Sequence, residues 1–238
     1  MSTTATSRPL LVSFSGLDGS GKSTQISSLV SQLHMVGLKT KQLAFWDDVV
    51  VGTRYREGFV HKVYKSEKGI GSPDKPVARR DKNVRKWYLT MARFALYLAD
   101  AVNLRKVVRR AFHSDVDVIV MDRYIYDQLA NLPLDNPAAR RFVKLIEDIV
   151  PRPDVAYLLD ADPEAARRRK PEYPVDFMCL ARNRYFKLAS ILGTMRLVPP
   201  LPLDEAKVEV VRAFMDSDPA RELLLQAARQ RNSATSAA

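Results

Sequence analysis

The sequence predicts an α/β fold in which a parallel β-sheet has helices on both of its faces. Short apolar runs rich in β-branched residues, such as LLVSFS at 10–15 and DVDVIVM at 115–121, are typical of buried parallel strands. Between such runs lie longer segments whose apolar residues recur at helical spacing. Because strands that alternate with helices are usually joined by crossovers, this order favours a parallel sheet.

The predicted elements follow one another without an internal repeat. Strands are expected at 10–15, 41–46, 115–121 and 155–160, and helices at 24–37, 87–110, 137–149 and from 163 onward, with Asp162 as N-cap. The long helix at 87–110 is expected to pack on the sheet through one apolar side, which consists of Tyr88, Met91, Ala92, Ala95, Leu98, Ala99 and Val102.

The composition is that of a globular protein with one domain spanning 1–238 and loose tails at 1–9 and 226–238. No apolar run is long enough to cross a bilayer and the N-terminus does not resemble a signal peptide, so a cytoplasmic location is expected. Cys179, between Met178 and Leu180, is expected to be a buried apolar residue rather than a nucleophile. The three histidines lack the spacing of a zinc site.

The net charge of +11 comes from one segment of the chain. Residues 54–110 hold 16 Lys or Arg against 5 Asp or Glu, and the remainder holds 22 of each. This basic segment is either a solvated face without a role of its own or a surface that binds phosphates, nucleic acid or acidic lipid.

The sequence GLDGSGKS at 16–23 matches the eight-residue P-loop pattern, and it follows a predicted strand and opens a predicted helix. Its glycines allow backbone amides to point at phosphate oxygens, Lys22 is expected to bridge the β- and γ-phosphates, and the Ser23 hydroxyl to bind Mg²⁺. The expected nucleotide-binding residues are Gly16, Leu17, Asp18, Gly19, Ser20, Gly21, Lys22, Ser23 and Thr24. The motif predicts a three-layer P-loop NTPase fold that binds ATP and Mg²⁺.

Other P-loop classes fit the sequence less well than small-molecule kinases do. A GTP-binding switch protein would carry an NKxD-type segment after a later strand, which this chain lacks, and an ATP-driven motor would usually be longer. A small-molecule kinase needs only cationic clamps around two approaching phosphate groups.

Four segments, in order, resemble the thymidylate kinase family of nucleoside monophosphate kinases. They are FSGLDGSGKST at the P-loop, YLADA in the long helix, VIVMDRYIYDQLA at the third strand and PDVAYLLDADPEAARRRK before the lid. The resemblance implies that Arg123 holds the acceptor phosphate, that Asp122 assists Mg²⁺ through water and that Asp18 faces the acceptor. It further implies a lid at about 162–180 that supplies the catalytic arginine, from Arg167, Arg168 or Arg169, and a homodimer formed through the long helix.

The chain departs from the family pattern in places that bear on the acceptor. Ser15 stands where the family has an acid, FWDDVVVGTRYREG at 45–58 stands where it has an REPGG-type stretch, and Ala101 stands where an arginine is expected to read thymine. The expected acceptor-side residues are Asp47, Arg54, Tyr97, Arg123 and Gln128, with 49–86 a variable basic segment. Tyr97 is either a stacking partner for a planar base or a core aromatic.

The predicted activity is transfer of the γ-phosphoryl group of ATP to a nucleoside monophosphate, with thymidine monophosphate (dTMP) as first choice. The alternatives are a kinase of another phosphorylated metabolite and a non-catalytic ATP-binding protein that docks an acidic partner through 54–110. Nucleic acid is the less favoured partner, and no membrane span is expected.

Overall fold

The computed structural model describes residues 8–51 and 87–236, which form a parallel sheet with helices on both faces. The strands are β1 (Leu10–Gly16), β2 (Thr40–Ala44), β3 (Val118–Asp122), β4 (Val155–Leu159) and β5 (Met195–Val198). The helices are α1 (Lys22–Met35), α2 (Trp87–Phe112), α3 (Ile125–Leu129), α4 (Pro137–Ile149), α5 (Pro163–Arg169), α6 (Val175–Leu192), α7 (Leu203–Met215) and α8 (Asp218–Ser236).

The described strands lie in the order β2-β3-β1-β4-β5, and every pair of neighbours is parallel. The predicted α/β class with helices on both faces is therefore confirmed. The turn after β1 lies at the carboxyl edge of the sheet, where ligands of such folds bind, and β1 is the central strand. Asp122, the last residue of β3, is in register with Phe14 of β1 and Ala44 of β2, so it lies near this turn.

Each face of the sheet has its own apolar core. One core packs α1, α7 and α8 on the sheet, with Phe14 stacked on Tyr157 at 4.7 Å between ring centroids. The other packs α2, α3 and α4 on the opposite face around Leu11, Met121 and Ile146. Burial of these side chains supplies most of the favourable free energy of folding.

Residues 45–49 form a π-helical turn instead of continuing β2, which was predicted to reach residue 46. The Asp48 carboxylate accepts a hydrogen bond of 2.6 Å from the amide of Ala44, the last residue of β2. Asp47, predicted to serve the acceptor, is an exposed residue of this turn.

Long helix α2 does not pack as the sequence predicted. Its buried side is formed by Ala101, Leu104, Val108 and Ala111, whereas the side predicted to pack on the sheet is largely exposed. Met91, Leu98 and Val102 of that side are 57%, 37% and 41% exposed. The prediction of a helix from the spacing of its apolar residues was correct. The side of the helix predicted to pack on the sheet was wrong, because α2 carries two apolar stripes.

A further prediction is wrong, since Cys179 is exposed on α6 rather than buried. The residues from 226 onward, expected to form a loose tail, continue α8 as far as Ser236, and Leu223, Leu224 and Ala227 of this helix pack partly against the core.

Candidate active site

The turn after β1 places a lysine over the backbone of the P-loop. Gly19 and Gly21 have φ values of +80° and +89°, which side chains other than glycine rarely adopt, and α1 begins at Lys22. The Lys22 ammonium donates hydrogen bonds of 2.9 and 2.7 Å to the carbonyls of Gly16 and Leu17. Burial, and to a lesser extent the positive charge of Arg123, lowers the pKa of Lys22 to about 8.

The rest of the P-loop lies around the N-terminus of α1. Ser23 and Thr24 are exposed in the first turn of the helix, where unpaired amides and the helix dipole favour an anion. The Ser20 hydroxyl is buried and has no hydrogen-bond partner among residues 8–51 and 87–236. A buried polar atom of this kind needs a partner, so the turn is suited to receive an additional polar group such as a phosphate.

Helix α5 rests directly on the P-loop at Gly19. A Cβ atom at this position would lie 2.5 Å from the carbonyl oxygen of Ala166, closer than any ordinary contact. The N-cap of α5 is Asp162, as predicted, and its carboxylate accepts from the amide of Ala165 at 2.8 Å. Half-buried Arg167 and exposed Arg168 and Arg169 follow on this helix, and the Arg169 guanidinium donates to the Ala165 carbonyl at 3.3 Å.

Gly19→Ala is expected to destabilise the protein by more than Gly37→Ala does. Both positions have positive φ, but nothing lies within 4 Å of a Cβ atom at Gly37. The difference between the two variants therefore isolates the contact with α5, and we expect it to be about 1–3 kcal/mol in the free energy of unfolding. Denaturant unfolding measures both values, and equal destabilisation would show that α5 does not press on the P-loop.

Arg123 lies between two carboxylates at the carboxyl edge of the sheet. Its guanidinium forms a short ion pair with Asp18 and a second ion pair of 3.1 Å with Asp127. Burial disfavours its charged form, but Asp127 and Asp18 outweigh this effect and raise the pKa of Arg123. Burial likewise opposes the charge of Asp18, whereas Arg123, Lys22 and Lys170 lower its pKa below the ordinary value. Arg123 is therefore always a cation, next to a charged P-loop carboxylate.

Lys170 and the buried Asp127 were not singled out by the sequence analysis. The Lys170 ammonium, at the end of α5, lies 4.0 Å from Asp18 and 3.2 Å from Glu172. Asp127 follows Arg123 by four residues, and this spacing of an acid after an arginine was visible in the sequence.

On the expected acceptor side, Gln128 and Asp100 are paired inside the protein. The Gln128 amide nitrogen donates to Asp100 at 2.7 Å, and the other Asp100 oxygen accepts from the backbone amide of Val51 at 2.9 Å. The Gln128 carbonyl oxygen is buried and unpaired within the described part of the chain. Tyr97 is partly buried against the neighbouring core, and Arg54 lies outside the described residues.

Together the fold and the P-loop geometry define a protein of the P-loop NTPase fold. No protein-family model matches the chain. Comparison with curated proteins and solved structures nevertheless confirms the resemblance stated from the sequence, since the relatives and structures described next are named thymidylate kinase or probable thymidylate kinase.

Two relatives illustrate the sequence similarity. A probable thymidylate kinase of Archaeoglobus fulgidus is 27% identical over 209 residues, which cover 84% of this chain and 92% of the relative. The thymidylate kinase of Caenorhabditis elegans is 26% identical over 162 residues, which cover 68% of this chain and 67% of the relative.

Two solved structures share the fold. Thymidylate kinase from Candida albicans aligns with a TM-score of 0.56 at 18% identity, over 90% of this chain and 94% of its own. Thymidylate kinase from Ehrlichia chaffeensis aligns with a TM-score of 0.55 at 13% identity, over 87% of this chain and 98% of its own. The three-layer P-loop NTPase fold predicted from the sequence is thus confirmed.

Proposed function

We propose that this protein is an ATP-dependent nucleoside monophosphate kinase that phosphorylates dTMP. The observation that carries the proposal is that two cations contact the P-loop, Lys22 through the carbonyls of Gly16 and Leu17, and Arg123, which follows β3, through the Asp18 carboxylate. We assign Lys22 to the phosphates of a donor at α1 and Arg123 to the phosphate of an acceptor. The names of the relatives support the choice of dTMP.

The reaction needs positioning and charge neutralisation more than a general base. A phosphate acceptor is already anionic near neutral pH, and in-line phosphoryl transfer requires little covalent help. When phosphate enters the P-loop, the Lys22 ammonium exchanges the carbonyls of Gly16 and Leu17 for phosphate oxygens. Arg167, Arg168 and Arg169 lie on the helix that touches Gly19, so movement of α5 would carry them toward the transferred group.

The residues near the P-loop also fit Mg²⁺. The Ser23 hydroxyl and the Asp122 carboxylate are oxygen ligands of the kind that Mg²⁺ prefers, directly or through water. Among residues 8–51 and 87–236 no three His, Cys, Asp or Glu side chains form a metal site by themselves, so a bound Mg²⁺ would share its coordination with nucleotide phosphates and water. When bound, the ion neutralises charge on the β- and γ-phosphates.

Lys22 gives nucleotide binding a measurable pH dependence. Its pKa of about 8 falls below the ordinary value, so near pH 8 about half of the protein carries a neutral Lys22, and triphosphate binding should restore the proton. We expect uptake of roughly 0.5 proton per ATP at pH 8, and of almost none at pH 6.5. Titration calorimetry in buffers of different ionisation enthalpy measures this uptake; equal uptake at both pH values would contradict the assignment.

The Gln128 carbonyl oxygen, which has no partner within residues 8–51 and 87–236, is our candidate contact for the acceptor base. The Gln128 amide nitrogen donates to Asp100, so Gln128 would accept a hydrogen bond from an N–H group of the base. Since Ala101 is fully buried where the family resemblance predicts an arginine, a kinase of another phosphorylated metabolite remains the second candidate.

A panel of acceptors separates these candidates. Purified protein is mixed with ATP, Mg²⁺ and single nucleoside monophosphates or sugar phosphates, and ADP formation is followed. We expect the highest kcat/KM with dTMP. Preference for another phosphorylated compound would favour a kinase of another phosphorylated metabolite. If no acceptor leads to ADP formation although ATP still binds, a non-catalytic protein that binds an acidic partner would be favoured.

Homodimerisation and a cytoplasmic location stay predictions. The exposed apolar side of α2 supports a dimer, because such a stripe is usually covered by a partner. None of the described helices has an apolar stretch of membrane-spanning length.

A further inference from the structure

The Asp127 carboxylate accepts hydrogen bonds from β1, from α6 and from the turn between β3 and α3. One of its oxygens accepts from the Ser15 hydroxyl at 2.7 Å and from the Tyr124 amide at 3.1 Å. The other accepts from the Tyr185 hydroxyl at 2.8 Å and from the Arg123 guanidinium at 3.1 Å. Asp127 is 4% exposed, so protein groups replace the water that would otherwise solvate it.

These donors join β1, the turn after β3 and helix α6 at a single point. Ser15 directly precedes the P-loop, Asp127 lies in α3, and Tyr185 lies in α6. Helix α6 is held in turn by the Arg182 guanidinium, which donates two hydrogen bonds of 2.6 and 2.7 Å to the Asp160 carboxylate at the end of β4. The carboxylate of Asp127 is therefore fixed from several sides.

Arg123 also forms an ion pair with Asp18 of the P-loop. Its backbone has a φ of 66°, in the left-handed region, and its amide donates to the Phe14 carbonyl at 2.9 Å. A residue other than glycine keeps this conformation only when its surroundings hold it. The ion pair with Asp127 fixes one side of the guanidinium, and the remaining side is directed at the P-loop.

We propose that Asp127 is the positioning residue that sets the orientation of Arg123 for the acceptor phosphate, with Ser15 and Tyr185 holding the carboxylate in place. The proposal rests on the proposed function, since it assigns Arg123 to the acceptor. Asp127 itself would touch neither substrate, because all four of its hydrogen bonds go to protein groups.

Asp127→Asn is the test, with Glu147→Gln as matched control. Both changes replace a buried carboxylate by its amide, and Glu147 has the same 4% exposure but pairs with Lys144 and Arg152, away from the P-loop. Asp127→Asn is expected to raise the KM for dTMP roughly tenfold or more, since a charge-assisted pair is lost, and to change the KM for ATP by less than about twofold. Glu147→Gln should leave both KM values unchanged.

An exchange of side chains provides the rescue. The Ser15 and Asp127 side chains are in direct contact, so Ser15→Asp combined with Asp127→Ser returns a carboxylate to the same enclosure. We expect the KM for dTMP of the double variant to be several-fold lower than that of Asp127→Ser alone. If both variants fold and the KM for dTMP is equal in them, the carboxylate does not act through this position.

A spectroscopic readout separates this proposal from the proposed function. The Nη–H signals of Arg123, whose two terminal nitrogens bind Asp127 and Asp18, are identified by their loss in Arg123→Lys; they should be sharp in the unchanged protein and broadened in Asp127→Asn, whether or not dTMP turns over. An unchanged signal, or an equal rise in the KM for ATP, would overturn the positioning role. Absence of turnover in the unchanged protein, with the signal still broadened by Asp127→Asn, would overturn only the proposed function.

Discussion

Lys22→Ala is expected to lower kcat for phosphoryl transfer by roughly a thousandfold or more, on the order of 4 kcal/mol of transition-state stabilisation. Lys22 lies almost fully enclosed over the P-loop carbonyls, where a cation acts on phosphate charge with little screening by solvent. Steady-state kinetics with ATP and dTMP measures the effect.

Lys39→Ala is the matched control for Lys22. The Lys39 ammonium and its partner Asp115 are both exposed at the surface. Removal of the Lys39 side chain should therefore leave kcat unchanged and cost little stability. Circular dichroism should show the same fold for both variants. A folded Lys22→Ala protein with kcat within about tenfold of the unchanged enzyme would contradict the role of Lys22.

Arg123→Ala is expected to reduce kcat/KM for dTMP by roughly a hundredfold or more, since a charge-assisted clamp on a phosphate is lost. The KM for ATP should change much less, because Lys22 and the P-loop remain. The substitution also removes the ion pairs of Arg123 with Asp127 and Asp18, and leaves Asp18 with the Lys170 ammonium at 4.0 Å, so some loss of stability is expected.

Arg123→Lys keeps the charge and separates the two effects. It should recover stability more completely than activity, since an ammonium cannot form the two directed ion pairs of the guanidinium. Arg221→Ala, an exposed arginine on α8, controls for the loss of one positive charge. If Arg123→Ala alters only the affinity for ATP, the assignment of donor and acceptor sides is wrong.

The central part of the fold could be predicted because its signals are local. The strand, glycine-rich turn and helix of the P-loop are consecutive in the chain, and α4 begins at Pro137 and ends at Ile149 as its periodicity indicates. The order of alternating strands and helices predicted the parallel sheet. Asp162 as N-cap of α5 depends only on the next three residues and was also correct.

What could not be predicted depends on contacts between distant segments. The side of α2 that packs inside is decided by neighbours from α3 and α4, so periodicity alone chose the wrong stripe. The contact between Asp127 and Tyr185 requires α3 and α6 to meet, and the two residues are 58 positions apart in the chain. Cys179 is exposed because its side of α6 points away from the core, which its two apolar neighbours do not reveal.

The most direct test follows the transferred group itself. Protein, Mg²⁺, dTMP and ATP labelled in the γ-phosphoryl group are incubated together, and the products are separated. We expect the label to appear in dTDP in an amount equal to the ADP formed, and Lys22→Ala to slow its appearance by roughly a thousandfold or more. Label that stays in ATP, or that is released only as inorganic phosphate, while ATP is bound and dTMP is present, would contradict the proposed function.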